Sequence, residues 1–238
     1  NTTGVSNCAF GHATLDAITT SSYNSAFGAE VLTNSTVDNN SGFGFRALKE
    51  TTTGSENCAF GTNALRDNTT GSYNTAFGKD ALIANTTAIV STAIGWGALS
   101  TNTTGAQNTA VGANALQYNN GDYNVAVGRQ SLQANTTGDN NVSMGWQALL
   151  ANTTGTNNTA VGVFALRNNS TGGDNTAVGR DALVALTTAS NNTSMGVSSL
   201  RNATTGHSNA SYGHQSGNNL TSGAYNVAVG YEALKVNT

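Results

Sequence analysis

A glycine returns at nearly constant spacing from one end of this 238-residue chain to the other. It stands at Gly11, Gly28, Gly44, Gly61, Gly78, Gly95, Gly112, Gly128, Gly145, Gly162, Gly179, Gly196, Gly213 and Gly230. Of the 13 intervals, 11 are 17 residues and two are 16, so the chain is 14 copies of one unit. A unit this short cannot bury its apolar face alone. Each copy is expected to be one layer of a stack whose neighbours complete the core. Residues 1–238 therefore read as a single repeat array, overriding the one or two globular domains that the length would suggest.

Positions can be counted from the glycine. Position −4 is Asn in 13 of 14 copies, with Ser91 the exception. Position −2 is small, nearly always Ala, and −1 is bulky and apolar, from Phe10, Phe27 and Phe43 to Val111 and Met144. Position +3 is mostly Ala and +4 is Leu in 13 of 14 copies, broken only by Gly217. Leu48, Leu65, Leu82, Leu99, Leu116, Leu132, Leu149, Leu166, Leu183 and Leu234 are the expected repeat core. The stretch Asn-x-Ala-apolar-Gly is short, rich in Thr, Val and Phe, and ends in glycine, which suits a strand. The next six residues, x-x-Ala-Leu-x-x, fit a second strand or one helical turn equally well. Asn-Thr-Thr-Gly then reads as a turn. Two short segments and two turns in 17 residues make one coil of an all-β solenoid or β-roll, since a helix pair needs a repeat of about 33 residues or more. Proline is absent, as expected where backbone N–H groups pair with the coils above and below. The Asn column predicts a ladder of side-chain hydrogen bonds along the stack.

Composition narrows the function. Lys and Arg total 9 against 12 Asp and Glu, too few and too balanced for a nucleic-acid or anionic-membrane surface. No apolar run reaches the length of a membrane span, so membrane insertion is not expected, and no signal peptide is visible. The chain opens and closes inside a repeat and reads as a window of a longer protein. Cys8 and Cys58 share position −3, three coils apart. At ~4.8 Å per coil they stand roughly 14 Å from one another, beyond the reach of a disulfide within one chain. Two free thiols are expected, with pairing between chains left open. Each coil offers one Leu, one further large apolar side chain and two Ala, too little burial to offset the ordering of 17 residues. A second apolar face covered by other chains follows, and three chains around an axis is the natural closed arrangement.

Asn-Thr-Ala-Val-Gly at Asn108–Gly112, Asn158–Gly162 and Asn175–Gly179, and Asn-Thr-Ala-Phe-Gly at Asn74–Gly78, resemble the head repeats of trimeric autotransporter adhesins. There a comparable shorter unit builds a left-handed parallel β-roll in a trimer. The longer form here, with Ala-Leu-x-x-Asn-Thr-Thr-Gly appended, is similar to repeat regions of phage tail fibres and bacterial surface proteins, which often precede a self-cleaving trimerisation chaperone. The likeness spans essentially the whole chain, which departs from the adhesin repeat by about three residues per coil. It implies a parallel homotrimer serving as shaft or head of an extracellular, cell-surface or virion fibre, with a glycan or receptor as partner.

No catalytic or metal-ligating constellation stands out, and no cofactor is expected. His12, His207 and His214 make no ligand spacing. The carboxylates are scattered. Asp80 and Asp181 share a position six coils apart, roughly 29 Å, where glycoside hydrolysis needs a pair within about 10 Å. Position +1 carries the large outward side chains, and Trp96, Trp146, Arg129, Arg180 and Tyr231 are the candidate binding residues, with packing at a corner or a chain–chain seam as the alternative role. Paired Thr residues such as Thr69-Thr70, Thr86-Thr87, Thr103-Thr104, Thr136-Thr137 and Thr153-Thr154 suggest a rival, an ice-binding or other lattice-matching surface. Asn68, Asn85, Asn102, Asn135, Asn152 and Asn202 satisfy the glycosylation pattern and would carry glycans along one edge in a eukaryotic secretory pathway. In a bacterial or viral source they are turn residues.

Overall fold

A computed structural model describes residues 3–235. The chain parts into two compact units, Asn1–Asn120 and Gly121–Thr238, built from the same coil. Each has seven strands of three residues, from Cys8–Phe10 to Thr109–Val111 in the first and from Val125–Val127 to Val227–Val229 in the second. Consecutive strands within a unit pair in parallel, like position to like position, as in Phe43↔Phe60 and Val161↔Val178. The fold is an all-β parallel solenoid, and no helix forms among the described residues.

Only one strand forms per coil. The second six-residue segment is neither a strand nor a helical turn but a chain of tight turns with left-handed residues at +2 and +4. In the coil of Gly61, Asn63 has φ 58° and Leu65 φ 50°. Alternate N–H groups point in different directions. Ala64, Arg66 and Asn68 donate three residues back to Gly61, Asn63 and Leu65, while Asn63, Leu65 and Asp67 donate to Phe45, Ala81 and Ile83 of the adjoining coils. Most N–H groups of the turn thus find a carbonyl partner without a second sheet. Asn, Asp and Gly at +2 (Asn63, Asp80, Gly97, Asn114, Asp181) suit the left-handed region, but Leu at +4 does not, and each such Leu costs on the order of 1 kcal/mol. Full burial offsets this: Leu32 to Leu200 at this position are entirely shielded from solvent, worth roughly 2 kcal/mol apiece. Gly217, the gap in the Leu column, keeps the same backbone at φ 59°. Among the expected core leucines, Leu234, in the last described coil, is instead 38% exposed.

Inside the coil, Ala at −2 and +3 and Leu at +4 fill the core. The Asn at −4 ties the coils together as the sequence pattern anticipates. Asn158 Nδ2 donates to Asn141 Oδ1 at 3.1 Å and to the Gly172 carbonyl at 2.8 Å, and its own Oδ1 accepts from the Asn175 N–H at 3.1 Å and Nδ2 at 3.2 Å. Ser91 keeps part of this pattern, since its N–H donates to Asn74 Oδ1 and its hydroxyl accepts from the Asn108 N–H at 3.3 Å. A second buried Asn column stands at +7, from Asn68 to Asn169, with Asn152 Nδ2 donating to Asn135 Oδ1 at 2.9 Å and to the Gly155 carbonyl at 3.0 Å. In the folded coil Asn68, Asn85, Asn102, Asn135 and Asn152 are fully buried, which leaves no room for a glycan on them. Their side chains hold the Thr-Thr-Gly turn from inside, which overturns the glycan edge at those five positions.

Two substitutions test this account by thermal or denaturant unfolding. Asn158→Ala leaves the buried Asn175 N–H without its acceptor and removes one of the two bonds made by Asn175 Nδ2 and by the Gly172 carbonyl, which keep Ala189 and Asn169, and is expected to cost about 1–3 kcal/mol, with Asn158→Ser less damaging. Gly61→Ala places a Cβ 2.6 Å from the Gly78 carbonyl oxygen at φ 135° and is expected to cost on the order of 3 kcal/mol or more.

Candidate functional site

Burial alternates along the strand. Positions −4 and −2 face inward while −5, −3 and −1 face out. The bulky −1 column therefore covers the outside of the sheet, with Phe77 57%, Ile94 40%, Met144 42% and Met195 43% exposed. Phe27, Phe43, Phe60 and Phe77 stack along it with ring centroids 4.9, 4.4 and 5.6 Å apart. Positions −3 and −1 hold no charged residue in any of the 14 copies. The result in each unit is a flat apolar strip bordered by exposed tyrosines at −5, such as Tyr73 in the first unit and Tyr123 in the second.

Around the glycine corner lie the +1 residues. Trp96 is 58% exposed, and Trp146 leans on Phe164 with centroids 4.8 Å apart. Arg129 is exposed, and Arg180 extends into solvent with Nε 3.7 Å from Asp181. Tyr231 stacks on His214 at 5.5 Å. Each of these candidates faces outward at the glycine corner of its own coil, Trp96 in the first unit and the other four in the second. Phe45, at the same position, lies beneath the Arg46 guanidinium at 4.6 Å. Among the described residues no group of three or more His, Cys, Asp or Glu gathers to hold a metal. Cys8 and Cys58 are free thiols on the outer strand face, and burial raises the pKa of Cys58.

The Thr pairs divide their roles. The first hydroxyl of each pair bonds a carbonyl of the next coil, as from Thr69 to Thr86 at 2.9 Å and from Thr136 to Thr153 at 2.9 Å. Only the second Thr (Thr70, Thr87, Thr104, Thr137, Thr154) faces solvent without such a bond, leaving one row rather than a broad array.

A longer rhythm runs through the outward columns. Position +2 is Glu30, Asp80, Gln130, Asp181 and Glu232 in every third coil, and four of those coils carry Tyr23, Tyr73, Tyr123 and Tyr225 at −5. Three of them carry Lys79, Arg129 and Arg180 at +1, and the coil that follows each has Trp96, Trp146 and Val197 there. The inward columns repeat every coil. Comparing like positions three coils apart is the sequence signal that brings out this surface pattern and the −5 tyrosines, which motif reading passes over. No family model matches the chain, and neither a curated protein nor a solved structure matches it.

Beyond the corner, one cluster of charges forms around Glu30. Glu30 meets Lys49 Nζ at 2.9 Å and Arg46 Nε at 3.0 Å, and first Lys49, then Arg46, holds its carboxyl below the usual glutamate range. Because the folded pKa is the lower one, the contribution is complete above the ordinary glutamate pKa and is lost as pH falls through the lowered value. The stability difference between the native chain and Glu30→Gln is accordingly expected to be small but measurable at neutral pH and to vanish in strong acid, as read from melting curves across pH.

Proposed function

We propose that this chain is a structural and adhesive fibre segment, a parallel homotrimer forming the shaft or head of a surface adhesin or tail fibre outside the cell or on a virion. The observation that carries this reading is the uncharged apolar strip on the outer strand face, with Phe77, Ile94, Met144 and Met195 all 40% or more exposed in the single chain. Soluble monomers rarely leave so extended an apolar surface in water. Other copies of the chain suit it as occupants, because a flat strip that repeats coil by coil meets an identical strip at every step, and three such strips close around one axis.

The +1 and +2 columns, with Trp96, Trp146, Arg129, Arg180 and Tyr231, then face away from the seam and present contacts to a cell-surface glycan or receptor. Each contact is weak, and three chains multiply it by avidity. The single exposed Thr row gives the lattice-matching rival less to work with than this surface gives an adhesin.

Sedimentation equilibrium of the native segment is expected to return three chains per particle. Val161→Lys together with Val178→Lys, on the outer strand face, should break the particle into single or unfolded chains, whereas Thr154→Lys in the turn should leave three. A stable monomer of the native chain would sink the proposal.

A further inference from the structure

The two 16-residue intervals, Gly28 to Gly44 and Gly112 to Gly128, both lose a residue from the Thr-Thr turn. At 17-residue coils the carbonyl of the first Thr receives the N–H groups of the preceding coil's pair, as Thr86 does from Thr69 and Thr70. In the second short coil Asn120 supplies the missing acceptor with its side chain. Its Oδ1 accepts from the Thr103 N–H at 2.8 Å, the Thr103 hydroxyl at 2.8 Å and the Thr104 N–H at 3.3 Å. In the first short coil the equivalent residue is Thr36, which has no carbonyl in its side chain.

The consequence is a notch. The Thr20 N–H, equivalent to that of Thr104, has no hydrogen-bond partner among the described residues. An open surface groove of about 500 Å³ lies there, lined by Thr20, Ser21, Thr36, Asp38, Asn39 and Ser55 among others. Ser21 is 3% exposed and its hydroxyl has no partner. In the same coils as Thr36 and Ser55, Ser35 and Thr51 occupy the +7 column that Asn fills from Asn68 to Asn169, and both of their hydroxyls are likewise buried and unpaired. Buried polar groups without partners are rare and mark places where something else completes the bonding. Asp38 accepts the Ser22 N–H at 2.7 Å through Oδ1, forms no ion pair among the described residues, and leaves Oδ2 facing no partner there.

The geometry points to a site for one neutral sugar residue in this notch, of a size within the usual range for small-ligand pockets. Asp38 takes the hydroxyl hydrogens of the sugar, Asn39 both donates and accepts, and the Thr20 N–H donates to a ring or hydroxyl oxygen, with the buried Ser21 hydroxyl behind them. The lone carboxylate repels an anionic ligand, and a single carboxylate is too few for tight binding of a divalent cation. This deepens the glycan-attachment reading, on which the choice of a sugar rests.

The test titrates D-glucose, D-galactose and D-mannose, with sialic acid and calcium as controls, into the native segment by saturation-transfer NMR and calorimetry. At least one neutral hexose is expected to bind with Kd on the order of 1 mM. Thr36→Asn, which restores the plug seen at Asn120, should raise the melting temperature and weaken that binding at least tenfold, and Asp38→Asn should weaken it comparably. The proposal is overturned by no hexose binding, by binding of sialic acid or calcium alone, or by hexose binding that Thr36→Asn leaves unchanged. A glycan array separates the two readings. Equal array binding by native and Thr36→Asn protein removes the notch and keeps the adhesive surface, while a native trimer that binds no glycan removes the adhesive role itself.

Discussion

Everything in this architecture hangs on the amide of the Asn four residues before each repeat glycine. The strand is only three residues long, and beyond it the turn backbone bonds to its neighbouring coils at alternate residues rather than as a continuous ladder. The Asn side chain carries the ladder past the strand. Its oxygen receives the next coil's N–H, and its nitrogen reaches both the previous Asn and a carbonyl across the coil. One residue thus fixes the spacing of two neighbours and the closure of its own loop. The second Asn column at +7 adds side-chain bonds from coil to coil and onto the following turn carbonyl, as from Asn152 to Asn135 and Gly155, so a coil with little apolar content is held by amide bonds as well as by Leu and Ala.

Left-handed leucine is the other half of the design. A β-solenoid coil of this size must turn sharply several times, and residues that accept positive φ are polar or glycine. Here the sharpest inward turn is made by the residue that the core most needs. Leu99, Leu116 and Leu149 hold φ near 50° because their side chains have nowhere better to be than the centre of the coil, and the backbone bonds on both sides keep them there. Strain at one dihedral is traded for a continuous apolar column.

Much of this was legible beforehand. The glycine period, the strand ending in glycine, the inward Ala and Leu and the Asn ladder follow from spacing and residue type. The second segment was not, because x-x-Ala-Leu-x-x has no propensity for left-handed turns and its conformation comes from hydrogen bonds to coils 17 residues away. The Asn of Asn-Thr-Thr-Gly was legible as a turn residue but not as a buried one, since the same letters open solvent-exposed loops. The candidate residues Trp96, Trp146 and Arg129 could be placed outward from their variability across copies. That Thr36 and Asn120 differ in consequence depends on what a missing residue leaves unpaired, which spacing alone does not display.

The three-coil rhythm of the outer columns bears on alignment. Two rods with identical rungs fit together equally well after sliding by one rung, two or ten, and nothing in their cores resists the slip. Marking every third rung with Trp96 or Trp146, and the one before it with Lys79 or Arg129, sets aromatic against cation after a displacement of one rung. Such a surface works like the graduations of a ruler. On the proposed trimer, where these columns face away from the seam, such marking would give a long polymer one preferred register along a structure whose interior is the same at every step.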